Sequence, residues 1–152
     1  MVPSSSLLFV YGTLRDPDLL AGVLARPLNA RAMLAASAPG LRAVHYPGRA
    51  YPALVRAPGD AAIGLVLTDL TAFERDLLDA FEGEEYHRRP IPVMIGEELH
   101  EADAYLPAIA IGAGAEAWTL ESWQAAHKPR VLKGERATAD ELRRRLIAVR
   151  PN

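Results

Sequence analysis

The sequence predicts an α+β fold in which a mixed or mainly antiparallel sheet curls towards a small barrel, with short helices at its flanks. Three observations carry this. The chain has 152 residues, the length of one ordinary domain (1–152), and a chain of that size buries enough surface to form a core without staples. Strand-like runs follow one another between Pro-Gly breaks, which is the spacing of a β-meander or barrel. The interruptions between helices are too short and the strands too consecutive for a regular βαβ repeat.

The elements follow in order. Residues 7–10 are an apolar run that ends at Tyr11-Gly12-Thr13-Leu14-Arg15, a buried strand entering a loop. Asp16 suits an N-cap and Pro17 the first helical position, where the missing N–H costs nothing. Leu19, Leu20, Val23 and Leu24 then form an apolar face as far as Pro27. Strand-like pieces are expected at 30–36, 41–46, 51–57 and 63–67, broken by Pro39-Gly40, Pro47-Gly48 and Pro58-Gly59. Thr71-Ala-Phe-Glu74 is a capping box, Phe73, Leu77, Leu78 and Phe81 recur at helical spacing, and Gly83 offers a C-terminal stop. Residues 86–95 and 99–106 read as two strands around a Gly96-Glu97-Glu98 turn, with Pro90 and Pro92 demoting the first to an edge or bulged strand. Two short helices close the chain. One covers 120–127, and the second follows a capping box at Thr138-Ala-Asp-Glu141 with Leu142, Leu146 and Val149 turned inward.

Composition removes several classes of function. Half the residues are hydrophobic and 24% are charged, the balance of a globular chain and not of a disordered one. The 17 Lys and Arg against 19 Asp and Glu leave a net charge of −2, so no basic field invites nucleic acid or an anionic membrane. The N-terminal apolar stretch is too short for a signal peptide or a span, and the apolar window at 104–118 is interrupted by Pro107; a cytoplasmic protein is expected. Without cysteine there is no disulfide, thiolate nucleophile or Cys-ligated zinc. Gly112-Ala-Gly114-Ala-Glu-Ala117 matches a relaxed dinucleotide fingerprint, but only 35 residues follow it and they hold no parallel strand pair, so it reads as a flexible loop of small residues. His45, His87, His100 and His127 lack any spacing that would aim two at one ion. Lys128, Arg130, Lys133, Arg136 and Arg143-Arg144-Arg145 are interleaved with acids and read as a solvated face. No Gly-x-Ser-x-Gly elbow occurs.

Two features remain. The Tyr11-Gly12-Thr13-Leu14-Arg15 loop exposes backbone N–H groups just before a helix, and Gly12 lets an anion approach the main chain. Such a loop could hold a carboxylate or a developing oxyanion, though a Gly-Thr pair is equally a plain turn. The second feature is Asp79-Ala-Phe-Glu82-Gly-Glu-Glu-Tyr86, which places acids at the negative end of a helix dipole, where a carboxylate becomes more basic. Glu82 adjoins Phe81, and Glu84 and Glu85 add like charges, so enclosure would raise its proton affinity further. That suits a general base near neutrality; an exposed helix-end acid with no task is the other reading.

Phe9-Val10-Tyr11-Gly12-Thr13-Leu14-Arg15, Tyr51-Pro52-Ala53-Leu54, Gly64-Leu-Val-Leu67 and Leu78-Asp-Ala-Phe-Glu82-Gly-Glu-Glu-Tyr86-His-Arg-Arg together resemble the γ-glutamylcyclotransferase-like family, including its AIG2-like members. Four separated blocks in the expected order, across residues 7–106, make the resemblance specific. It implies a small mixed β-barrel with flanking helices, a glutamyl group held at Tyr11, Gly12, Thr13 and Leu14, and acid–base duty for Glu82. Tyr105 in Ala104-Tyr105-Leu106 is similar to a pocket tyrosine of the family. No metal, nucleotide or other cofactor and no covalent intermediate is implied, and the expected partner is a small γ-glutamyl compound.

A γ-glutamyl amide carries its own nucleophile, the α-amino group, within ring-closing distance of the γ-carbonyl. One carboxylate that takes and returns a proton would suffice to release 5-oxoproline and a free amine. Two further readings stay open at this level: a binding module that keeps the pocket without turnover, and an enzyme that removes a γ-glutamyl group from a biosynthetic intermediate.

Overall fold

A computed structural model of the chain describes residues 7–112 and 114–149. Strands β1 (Leu8–Val10), β2 (Met33–His45), β3 (Pro52–Leu67), β4 (Tyr86–Ile95) and β5 (Glu98–Pro107) close into a barrel-like ring in the order β1-β3-β2-β4-β5. Helices α1 (Pro17–Leu24), α2 (Ala72–Glu82), α3 (Leu120–Ala126) and α4 (Lys128–Val149) flank it. Neighbouring strands run antiparallel except where β1 meets β5: there Leu8 faces Asp103 in a parallel pair, and the Asp103 N–H donates to the Leu7 carbonyl at 2.9 Å. The sheet is therefore mixed, and the fold is the α+β barrel that the sequence predicts.

Alternation along β1 divides two cores. Leu8 and Val10 pack with Leu14, Leu19, Val23 and Leu78 between barrel and helices. Phe9 and Tyr11 point the other way, into the barrel, among Ala36, Ala38, Ala62, Ala102 and Ala104. A ring of only five strands has a narrow interior, and these alanines make room for two aromatic rings. At Gly64 the approach of β1 is so close that a Cβ would meet the Val10 carbonyl oxygen and lie 2.7 Å from Phe9 Cε1. Only glycine fits at that crossing.

The four strand pieces expected between residues 30 and 67 are in fact two long strands. Residues 30–32 form a 3₁₀ turn ahead of β2. Pro39-Gly40 and Pro58-Gly59 lie within β2 and β3 and break neither, because pairing resumes on both sides: Pro39 faces Ala61, Leu41 faces Arg56, and residues 57–60 bulge out opposite Gly40 alone. Gly40 (φ 77°) and Gly59 (φ 90°) take up the positive φ this bulge needs. Pro47-Gly48 does end β2, in the hairpin loop before Pro52. The β4–β5 ladder runs unbroken from Tyr86–Pro107 to Ile95–Glu98. The other side of β4 meets β2 at Ser37–Met94, which leaves Pro90 and Pro92 on an open stretch of edge.

The C-terminal region departs further from expectation. Thr138-Ala-Asp-Glu141 starts no helix, because α4 runs through it from Lys128. Pro129 sits in the first turn, where its missing N–H costs nothing, and no proline follows it before Thr138. Ala139 is fully buried, Leu142 and Leu146 are half-buried, and Val149 is 76% exposed, so α4 outruns the core before its last turn and Val149 does not face inward. The basic residues are not all a solvated face either. Arg144 and Arg145 pair with Glu141 on the surface, whereas Arg143 donates to the Val23 carbonyl and Lys128 reaches Asp16.

Asp16 is the junction of the helical layer. Its side chain has no exposure, caps α1 by accepting the Leu19 N–H at 2.9 Å, and takes Gln124 Nε2 of α3 and Lys128 Nζ of α4, each at 2.9 Å. Burial alone would raise its pKa, but these three partners outweigh burial and hold it below the ordinary 3.8. With the folded pKa depressed, the stabilisation is complete above the unfolded value and is lost as pH falls through the folded one. Asp16→Ala is expected to cost about 2–5 kcal/mol at neutral pH, the loss of a cap together with a buried charge partner. Asp16→Asn, which keeps a cap oxygen, should cost less. Urea unfolding at pH 7 and pH 3 checks both: an Asp16→Ala deficit that does not shrink at the lower pH argues against this role for the charge.

Candidate active site

A cavity of about 250 Å³ opens among the end of β1, the C-terminal end of α2 and one face of α4. The six residues to which the resemblance gives a role all line it: Tyr11, Gly12, Thr13, Leu14, Glu82 and Tyr105. Gly12 and Glu82 therefore face one cavity. After Tyr11 the chain folds into a 3₁₀ turn, Thr13–Arg15, with the Arg15 N–H donating to the Gly12 carbonyl at 3.0 Å and the Asp16 N–H to that of Thr13 at 2.9 Å. The first N–H groups of such a turn have no acceptor within it, which leaves those of Thr13 and Leu14 for a bound group. The N-terminus of α1 is not the donor, since Asp16 already caps it. At Gly12 the φ is −118° and a Cβ would lie 2.8 Å from Pro52 Cγ. The ring of Pro52, as well as access to the main chain, therefore calls for glycine there.

Glu82 ends α2, because Gly83 adopts φ 70° and turns its N–H back to the Asp79 carbonyl. Its carboxyl is pushed up to about 8, first by burial and then by the charges of Glu135, Glu85 and Asp79. Glu84, expected among those neighbours, is exposed and lies outside the cavity lining. Its place is taken by Glu135 from α4. The remaining acids are occupied. Asp79 accepts the Tyr105 hydroxyl at 2.7 Å and pairs with Arg88 at 3.2 Å. Glu85 accepts the Tyr51 hydroxyl and pairs with Arg49 at 3.1 Å. Glu82 makes no hydrogen bond or ion pair among the described residues, so of the acids clustered at this helix end it is the cavity-lining one left free for a ligand.

Tyrosines frame the site. The Tyr11 hydroxyl donates to the Tyr105 carbonyl and that of Tyr86 to the Pro52 carbonyl, the latter at 2.6 Å. Burial raises the pKa of all three of these tyrosines, and that of Tyr51, aided by Glu85, to about 12. They remain neutral donors at neutral pH. Tyr51 and Tyr86 pack with their ring centroids 6.2 Å apart. The sequence motifs contain Tyr51, Pro52 and Tyr86 without assigning them to the wall, Thr138 is read there only as the cap of a separate helix, and Glu135 is not singled out. The signal for that pair was the absence of a proline between Pro129 and Thr138, which extends α4 upstream and sets Glu135 and Thr138 on one face, three residues apart.

Among the described residues no group of His, Asp or Glu is placed to hold a metal ion, and no helix is long and apolar enough to cross a membrane. From the Pro52 contact, Gly12→Ala is expected to lower stability by about 1–3 kcal/mol, the usual cost of overpacking, and Pro52→Ala in the same chain should restore part of it. Melting curves of the single and double variants check this. An unchanged Gly12→Ala melting temperature would leave main-chain access as the reason for the glycine.

Residues 8–143 match the family model described as gamma-glutamyl cyclotransferase, AIG2-like. The chain is 32% identical over 139 residues to AIG2-like protein D of Arabidopsis thaliana, spanning 88% of this chain and 89% of that protein. It is 30% identical over 129 residues to AIG2-like protein A of the same plant, 82% and 76% of the two chains. A solution structure of an Arabidopsis thaliana protein superposes with TM-score 0.64 at 26% identity, covering 99% and 98% of the chains. The solved structure of a gamma-glutamyl cyclotransferase shares the fold, with TM-score 0.53 at 17% identity over 96% of this chain and 88% of that one. With the barrel, the loop and the helix-end glutamate in place, the chain belongs to the gamma-glutamyl cyclotransferase, AIG2-like family.

Proposed function

We propose that the protein is a cofactor-independent γ-glutamylcyclotransferase-like enzyme that converts a γ-glutamyl amine or γ-glutamyl amino acid to 5-oxoproline and the free amine, with Glu82 as general acid and base. The observation that carries this reading is the unpaired Glu82 carboxyl sharing a cavity with the Gly12–Leu14 main chain. Family membership supports it.

In this reading the N–H groups of Thr13 and Leu14 hold the substrate's α-carboxylate or the oxyanion, and the α-ammonium sits beside Glu82. A carboxyl with a pKa of about 8 is largely protonated in an empty site at pH 7. An arriving ammonium favours its ionised form. Glu82 then takes a proton from the α-ammonium, and the freed amine attacks the γ-carbonyl to form the ring C–N bond. As the tetrahedral intermediate collapses, Glu82 passes protons to the departing nitrogen and the original amide C–N bond breaks. Two protons leave the α-nitrogen and two end on the released amine, so the carboxylate finishes as it began. The substrate supplies the nucleophile, and no serine or cysteine is needed.

Glu82→Gln is expected to lower 5-oxoproline release by about 10²–10⁴-fold, the usual contribution of a positioned acid–base group. Glu84→Gln should have little effect. The wild-type kcat/KM should rise with pH along a limb near pH 8, and the variant should lack that limb. Stability gives an independent reading. Because the folded pKa of Glu82 lies above the ordinary 4.5, the native state binds more protons in that interval, and wild-type stability should fall as pH rises from about 4.5 to about 8. Glu82→Gln should flatten this fall. Incubation with γ-glutamyl amines, γ-glutamyl amino acids and glutathione, followed by mass detection, tests the assignment. Undiminished release by Glu82→Gln refutes it, and tight binding without turnover points to a binding module.

A further inference from the structure

The charges around the cavity are one-sided. Two acids line it without an ion pair or hydrogen bond among the described residues, Glu82 from α2 and Glu135 from α4, while no Lys, Arg or His lines it. Glu85 is also in the wall but is already neutralised by Arg49. A γ-glutamyl substrate brings one cation, the α-ammonium, and the proposed chemistry assigns that to Glu82. Glu135 is left over. It is half-buried on the face of α4 that also presents Thr138, and burial keeps its carboxyl above the ordinary range. An uncompensated acid in such a place is costly unless a positive group joins it.

The wall beside these acids points the same way. Tyr51, Tyr86 and Phe81 line the cavity, and aromatic faces attract organic cations. Helix α4 is also firmly held where it crosses the site, by Lys128 on Asp16 and Asp18 and by Arg143 on the Val23 carbonyl. Glu135 is therefore carried on a backbone held on both sides of it.

Resting on the proposed function, we propose that Glu135 is a specificity-determining residue that selects γ-glutamyl amides whose leaving amine carries a second positive charge, such as the monoamide of a diamine. The leaving group then occupies the part of the cavity between α4 and the tyrosine wall, while Glu82 serves the glutamyl portion.

Two probes of similar length separate the ideas: the γ-glutamyl monoamide of 1,4-diaminobutane and the γ-glutamyl amide of n-butylamine. Wild-type kcat/KM should favour the diamine amide by about tenfold or more, the worth of one charge-assisted contact. Glu135→Gln should lose most of that ratio, and Glu135→Lys should invert it. The ratio cancels any effect of Glu135 on the proton affinity of Glu82, because both probes use the same base. Circular dichroism confirms that each variant is folded. A wild-type ratio near one overturns the proposal while leaving the cyclotransferase reading intact. So does an equal loss on both probes in Glu135→Gln, which would put Glu135 at the glutamyl end. If neither probe is turned over, the function reading fails instead, and calorimetric Kd values for the same two compounds decide the recognition claim by the same ratios.

Discussion

The buried carboxylate of Asp16 is the constraint on which the helical layer and the site both depend. It follows directly on the 3₁₀ turn that lines the cavity, begins α1, and accepts side chains from α3 and α4. One group thus fixes where the loop ends and where α3 and α4 meet the start of α1. A buried carboxylate is tolerated because three donors, one of them charged, replace its lost water. Charge balance closes locally at Asp16, which is why its carboxyl stays ionised.

At the cavity the balance is left open. Glu82 stands at the unfavourable end of the α2 dipole, with Glu135 facing the same space and no basic side chain in the lining. The fold tolerates this cost, which in the proposed reading a positively charged ligand offsets. Glu85 and Asp79 show what a satisfied acid looks like in the same neighbourhood: each has a tyrosine hydroxyl and an arginine. The difference between these pairs and Glu82 is what gives the site its chemical direction.

Packing inside the barrel ties the two together. Tyr11 belongs to the barrel interior through its ring and to the cavity through its position next to Gly12, and its hydroxyl reaches the Tyr105 carbonyl on β5. Its placement follows from the alternation along β1, which in turn requires Gly64 to let the strand approach β3. A change deep in the barrel would therefore be felt at the loop.

The sequence alone determined what short-range physics controls. The Asp16 cap, the Thr71–Glu74 capping box and the Gly83 stop are each set by one hydrogen-bonding side chain or one permissive backbone residue within a few positions. The β4–β5 hairpin followed from its turn, and Gly12 and Glu82 stood out because each stands where an element ends, although only the resemblance to a family joined them as a site. Only the tertiary structure decided the rest. Pro39-Gly40 and Pro58-Gly59 break strands in isolation but become a bulge once each strand finds its partner on both sides. Thr138-Ala-Asp-Glu141 has the letters of a helix start, yet packing against α1 and α2 carries α4 straight through it. Glu135 comes to face Glu82 across 52 intervening residues of chain, a juxtaposition set by long-range packing, which no local pattern encodes.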